Sequence, residues 1–155
     1  MDWLNAWIDW QEFGVMVGKV ALAYALALPI GWEREQAQHS MGVRTFPLVA
    51  MASCGYVLLG HTLAGTDPAA RSRIIQGLTT GIGFIGGGAI MRGQNNVHGT
   101  ATAASIWNTG VVGAAVAMGH LEIAIVLSLI NLVTLRLLLP LKSRIDGPAE
   151  PKDVD

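Results

Sequence analysis

Gly77-Leu78-Thr79-Thr80-Gly81-Ile82-Gly83-Phe84-Ile85-Gly86-Gly87-Gly88 carries glycine at six of its twelve positions. In water this stretch would make a poor helix, because glycine costs roughly 1 kcal/mol per residue against alanine in a helix interior. In a bilayer the balance reverses. Hydrocarbon offers no partner for backbone N–H and C=O groups, so a spanning segment must be a helix or part of a closed barrel. Small residues then help, since they let helix backbones approach closely. Ile74, Ile75, Leu78, Ile82, Phe84, Ile85, Ile90 and Met91 make the segment apolar throughout, which favours a helix over a glycine loop. Gly77 and Gly81 are four apart, as are Gly83 and Gly87. The two pairs are offset by about 240° around a helix. The spacing predicts a membrane helix with small residues on different faces, sandwiched between neighbours.

Composition agrees. The chain has 155 residues, 52% of them hydrophobic and 14% charged. A soluble domain carries about 25% charged residues, so the chain reads as a membrane protein of one domain. A net charge of −1 leaves no footprint for nucleic acid. Cys54 stands alone, which excludes an internal disulfide and a cysteine-based zinc site. Asp2 and Asp9 occupy positions where a signal peptide would be basic, so the start does not read as one.

Outward from the glycine stretch, the pattern predicts an all-α polytopic fold with five transmembrane helices. Residues 1–12 come first. Trp3, Trp7 and Trp10 recur at helical spacing opposite Asp2, Asn5, Asp9 and Glu12, as in a short amphipathic helix in the membrane interface. The spans follow at 13–32, 45–64, 74–91, 100–119 and 121–141, within a five-helix membrane domain at 13–141. A polar tail at 142–155 reads as disordered. Lys19 interrupts the first span and either snorkels to the interface or finds a buried partner. With the N-terminus outside, the inner side holds Arg34, Arg44, Arg92, Lys142, Arg144 and Lys152, and the outer side holds Arg71 and Arg73. The positive-inside rule therefore favours N-terminus outside and C-terminus inside.

Five spans also place the first loop and the loop at 92–99 on one membrane face. Glu33, Arg34, Glu35, Arg44, Arg92 and His98 meet there, beside the start of the fourth helix. Such charges can simply anchor spans at the interface. They can pair as arginine–carboxylate bridges that fix helix ends in register, or hold an anion at the positive end of the fourth helix. Pairing of Glu33 with Arg44 and Arg92 is the arrangement expected here, locking the first three helices. Gly77, Gly81, Gly83, Gly86, Gly87 and Gly88 are the expected helix-packing positions, so Gly83→Leu is expected to abolish insertion or assembly. An enzyme finds no support. His39, His61, His98 and His120 lack ligand spacing, and no nucleophile elbow or P-loop occurs. The glycines of 81–86 match a dinucleotide fingerprint, but without the strand and helix that such a site requires. No cofactor or metal-ligand set emerges.

Four blocks in register resemble a known family. They are Gly31-Trp32-Glu33-Arg34-Glu35, Gly42-Val43-Arg44-Thr45, the block from Gly81 to Arg92, and Gly99-Thr100-Ala101-Thr102-Ala103-Ala104-Ser105-Ile106-Trp107. In this order they are similar to the MgtC/SapB family of bacterial inner-membrane proteins, over about residues 13–140. The family motifs map onto Glu33, Arg34, Arg44, Thr45, Gly81, Gly83, Gly86, Gly88, Arg92, Gly99, Thr102, Ala103, Ala104 and Trp107. Thr100 and Ala101 depart from the family's Leu-Thr, and many members carry a soluble C-terminal domain beyond the point where this sequence stops. The resemblance implies a plasma-membrane protein linked to low-magnesium adaptation and, in pathogens, to survival in host cells. Members are described as magnesium transporters or as small regulators of larger membrane machines. Transport would want carboxylates or a carbonyl ring along a path, yet no acidic residue falls in the middle of a span. The expectation is therefore a non-enzymatic regulator that binds membrane proteins, with an oligomeric transporter of magnesium or another ion as the alternative. Its partners would be membrane lipid and a membrane protein or a second copy of itself.

Overall fold

The computed structural model describes residues 9–36, 41–92 and 97–145, with side chains described as far as residue 138. It is all-helical apart from one two-residue ladder. Helix α1 is Trp10–Gln36, α2 Thr45–Ala64, α3 Pro68–Gly88, α4 Thr100–Met118 and α5 Leu121–Ile145. Strands β1 (Met91–Arg92) and β2 (Val97–His98) pair antiparallel between α3 and α4.

Local chemistry sets the helix ends. The Asp9 carboxylate accepts from the backbone N–H groups of Gln11 and Glu12, so α1 begins at Trp10. Residues 10–12, expected in a separate interfacial helix, are thus the first turn of α1, and 1–8 lie outside the described residues. Asp67 caps α3 through Ala69 N–H, with Pro68 in the first turn. The third helix, expected to start at 74, therefore starts at Pro68, because proline lacks the N–H that a first turn leaves unpaired anyway. Helix α4 ends in a Schellman motif: Gly119 is left-handed (φ 83°), its N–H bonds Val116 O, and His120 N–H bonds Ala115 O. That tight reversal joins α4 directly to α5 as an antiparallel hairpin. Helix α5 continues to Ile145, past the expected start of the tail, and 146–155 lie outside the described residues.

Helices α1, α2, α4 and α5 are long and apolar enough to cross a membrane. The protein is a multi-pass membrane protein. Exposed Trp10 and Trp32 sit near opposite ends of α1, about 33 Å apart by helix rise, matching the roughly 30 Å hydrocarbon layer between aromatic belts. Helix α3 has the length, at 21 residues, but not the apolarity. Arg71, Ser72, Arg73 and Gln76 fill its first half and glycine its second.

The bundle centres on α4, which packs against α1, α2, α3 and α5, whereas α3 packs against α2 and α4. Two clusters form the core. One joins Ala23, Ala27, Ala50, Cys54, Val57, Val112 and Ala124 with the alanines of α4. The other joins Ile30, Phe46, Val49, Ile82, Ala89, Ile106 and Leu135 beneath the motif-bearing end. The central helix is therefore the fourth, and the expectation of a sandwiched third helix does not hold within the protomer.

Candidate functional site

Three of the motif blocks and the end of the glycine block converge at one end of the bundle, at the C-terminus of α1, the N-terminus of α2, the β1–β2 ladder and the N-terminus of α4. Glycines allow the convergence. A Cβ at Gly31 would stand 3.1 Å from both Gly42 O and Val43 Cα, and one at Gly42 would overlap the Glu35 carboxylate. The first loop thus folds back onto the last turns of α1. Glu35 Oε2 accepts from Val43 N–H at 3.1 Å, just before α2, where a carboxylate meets the positive end of the helix. Gly99 does the same for the α3–α4 connection. Its φ is +85°, and a Cβ would overlap the Ala89 carbonyl oxygen. Only glycine serves there, both for the left-handed backbone and for the close approach.

Charges at this end sort differently from the expected scheme. Arg136 Nε donates to Glu33 Oε2 at 2.7 Å, tying α5 to α1. Arg44 and Arg92 are exposed and, among the described residues, form no ion pair. The reason is topological. Helix α5 lies along α1, so a residue a few turns from its end faces Glu33. Helix α3 packs on α2 and α4 rather than α1, so Arg92 beyond it cannot serve Glu33. Arg34 is 3% exposed, and Thr45, half-buried, opens α2 with its N–H on Gly42 O. Thr102 is buried in the first turn of α4, and Trp107 is half-exposed in a groove between α3 and α4.

The glycine block divides. A Cβ at Gly86 would stand 3.2 Å from Ala103 O, and one at Gly77 would stand 2.9 Å from the Tyr56 hydroxyl. Gly81, Gly83, Gly87 and Gly88 have nothing within 4 Å. The protomer's close approaches lie elsewhere. A Cβ at Gly113 would overlap Ala50 O, one at Gly110 would overlap Ile82, and one at Gly60 would crowd Ile74. Sequence reasoning missed these positions. Gly110-Val111-Val112-Gly113-Ala114-Ala115 was a visible signal, in a helix rich in small residues.

Deep polar groups act between helices. Lys19 Nζ donates to Ala117 O at 2.8 Å, at the carbonyl end of α4, which resolves the two readings of Lys19 in favour of a partner. Ser128 Oγ donates to Leu26 O (2.7 Å), Asn108 Nδ2 to Leu127 O (3.2 Å) and Ser105 Oγ to Asn131 Oδ1 (2.9 Å). Thr79 and Thr80 bond back to their own helix at Ile75 O and Gln76 O. The bonds of Ser128, Asn108 and Ser105 fix α5 against α4 and α1 where hydrocarbon provides no competing partner.

A buried guanidinium at the end of α1, glycine-shaped α1–α2 and α3–α4 connections and a glycine-rich third helix form one sequence pattern, and the family model for MgtC matches it across residues 20–144. The chain belongs to the MgtC family. It is 33% identical over 129 residues to SrpB of Synechococcus elongatus, covering 76% of this chain and 71% of that protein. It is 36% identical over 110 residues to MgtC of Salmonella typhimurium, covering 71% of this chain and 46% of that protein. It is 33% identical over 126 residues to YhiD of Escherichia coli K12, named a candidate magnesium transporter, covering 76% of this chain and 57% of that protein. The chain thus spans about half the length of MgtC. No solved structure gives a significant match.

Proposed function

We propose that this MgtC-family protein is a non-enzymatic regulator of the bacterial inner membrane, linked to magnesium homeostasis and acting by binding other membrane proteins. The magnesium link comes from its relatives, one of which carries a magnesium-transporter name. The observation that supports binding over transport is the use of the deep polar groups. Lys19, Ser105, Asn108, Ser128 and Asn131 are engaged in bonds between helices, and the carbonyl of Ala50 is closed over by Gly113. A protomer packed this way acts through its exposed helix faces and short connections. In the same reading α3 crosses the membrane as the fifth span, shielded on one side by α2 and α4. The N-terminus then lies outside, and Glu33, Arg34, Arg44, Thr45, Arg92, Gly99 and Thr102 cluster at the cytoplasmic face.

The second reading is an oligomeric transporter of magnesium or another ion, favoured by the bare glycine surface of α3, whose backbone could line a shared path. Magnesium flux into proteoliposomes containing the purified protein separates the two, beside empty liposomes and an Arg44→Ala variant. The regulator reading expects no flux above the empty liposomes. Saturable flux lost in the variant would replace it with the transporter.

A further inference from the structure

Helix α3 presents an outward stripe unlike the exposed faces of its neighbours. Arg73, Gln76, Thr80, Phe84 and Gly87 follow 3-4-4-3 spacing, opposite the inward Ile75, Leu78, Ile82, Gly86 and Ala89. Phe84 is 85% exposed and stands among Gly81, Gly83, Gly87 and Gly88, which have open space around them. Most exposed positions of α1 and α5 within the span are large and apolar, among them Phe13, Val17, Leu22, Ile125, Leu129 and Val133, although Gly14 and Gly18 of α1 are bare as well. Acyl chains suit those faces. They offer nothing to Gln76 and little dispersion contact to a bare glycine backbone with one projecting ring.

A complementary surface lies between α1 and α2. At the end far from the motif cluster, Asp9, Glu12, Lys19 and His61 line a polar cavity of about 600 Å³. An apolar cavity of about 510 Å³ continues along α1, lined by Phe13, Met16, Val20, Tyr24 and Met51. Among the described residues neither Asp9 nor Glu12 is in an ion pair, and neither is Arg73. The Lys19 ammonium in this cavity is directed to Ala117 O. Helices α1 and α3 each run antiparallel to α2 in sequence order and so run in the same direction. Arg73 and Phe84 are eleven residues apart, about 16 Å along a helix, and Glu12 and Tyr24 are twelve apart, about 18 Å. Setting Arg73 against Asp9 and Glu12 therefore brings Phe84 to the depth of Tyr24 and Met51.

We propose that α3 of one copy docks into the α1–α2 groove of a second copy, with Arg73 on the acidic mouth and Phe84 in the apolar floor. The two surfaces differ, so the contact is head-to-tail. Copies sharing one membrane orientation then propagate it around a ring or along a row. The contact serves either a regulator or a transporter, and its test reads assembly rather than flux.

The test is oxidative cross-linking of the full chain in native membranes, using Phe84→Cys, Tyr24→Cys and the double variant. All substituted side chains are exposed, and wild type with its buried Cys54 is the control. The expected result is a ladder of dimers, trimers and higher species from the double variant, with none from either single variant. Arg73→Glu should cut the ladder severalfold, and adding Glu12→Arg should restore it. Dimers from Phe84→Cys alone would overturn the proposal in favour of a symmetric α3–α3 contact. Cross-links solely to a different protein, or none from the folded double variant, would overturn it as well.

Discussion

Helices α3 and α4 both carry glycine and are adjacent in sequence, yet they use most of it in opposite ways. In α4, Gly110 and Gly113 face inward and admit Ile82 and the Ala50 carbonyl to within van der Waals distance of the backbone. In α3, Gly81, Gly83, Gly87 and Gly88 have open space around them, Gly81 in a cavity beside α2. Glycine in one helix is a requirement of the fold. In the other, Gly77 and Gly86 pack within the protomer, while Gly81, Gly83, Gly87 and Gly88 carry their cost in helix propensity without a close contact in return. Small residues therefore mark close packing in a membrane protein without saying with whom.

The sharpest way to break this comparison is a matched pair of substitutions. Gly113→Leu should leave little folded protein, since its side chain would have to displace the α2 backbone at Ala50. Gly83→Leu should leave the protomer folded and, on propensity, more helical by about 1 kcal/mol. Yield of monodisperse protein in mild detergent would read both, and equal loss in the two variants would refute the division. Gly99→Ala comes next. A left-handed residue with a Cβ costs roughly 1–2 kcal/mol, and the overlap with Ala89 O adds to it, so a lowered midpoint of unfolding in denaturing detergent is expected. At the charged end, Glu33→Arg or Arg136→Glu should each cost about 1 kcal/mol, because Arg136 is 58% exposed while Glu33 is 17% exposed. Their combination should recover most of it. Combining Glu33→Arg with Arg44→Glu should not, and recovery there would restore the pairing expected from sequence. The smallest effect belongs to Asn131→Leu, which removes the bond to Ser105 and a buried Nδ2 with no acceptor among the described residues. Interhelical bonds of this kind average about 0.6 kcal/mol, so a shift near the limit of measurement is expected.

Much of the fold was legible in the sequence. The α2 boundaries follow from Gly42-Val43-Arg44-Thr45 and the run of apolar residues to Ala64, and they match the structure at both ends. The α4–α5 hairpin follows from Gly119-His120, where two apolar segments leave no room for a loop. The convergence of Glu33, Arg34, Arg44 and Gly99 at one end follows from counting alternating helices. Less legible were the start of α3, where Asp67-Pro68 serves equally as a turn or a helix cap, and the partner of Glu33. Arginines at 44, 92 and 136 were all chemically suitable for Glu33. Choosing among them required knowing that α1 lies beside α5 and that α3 lies on the other side of α2 and α4.

By itself the sequence determined a helical, multi-pass membrane chain with small-residue helices and charge gathered at one end. Those properties follow from apolar run length, local caps and parity, each a matter of residues near one another in the chain. The tertiary structure alone decided which helix is central, which glycines are in contact and that Arg136 holds Glu33 across 103 positions. Such choices depend on the rotation of each helix about its axis. A turn of 100° per residue moves a glycine from core to lipid without changing the composition of the helix.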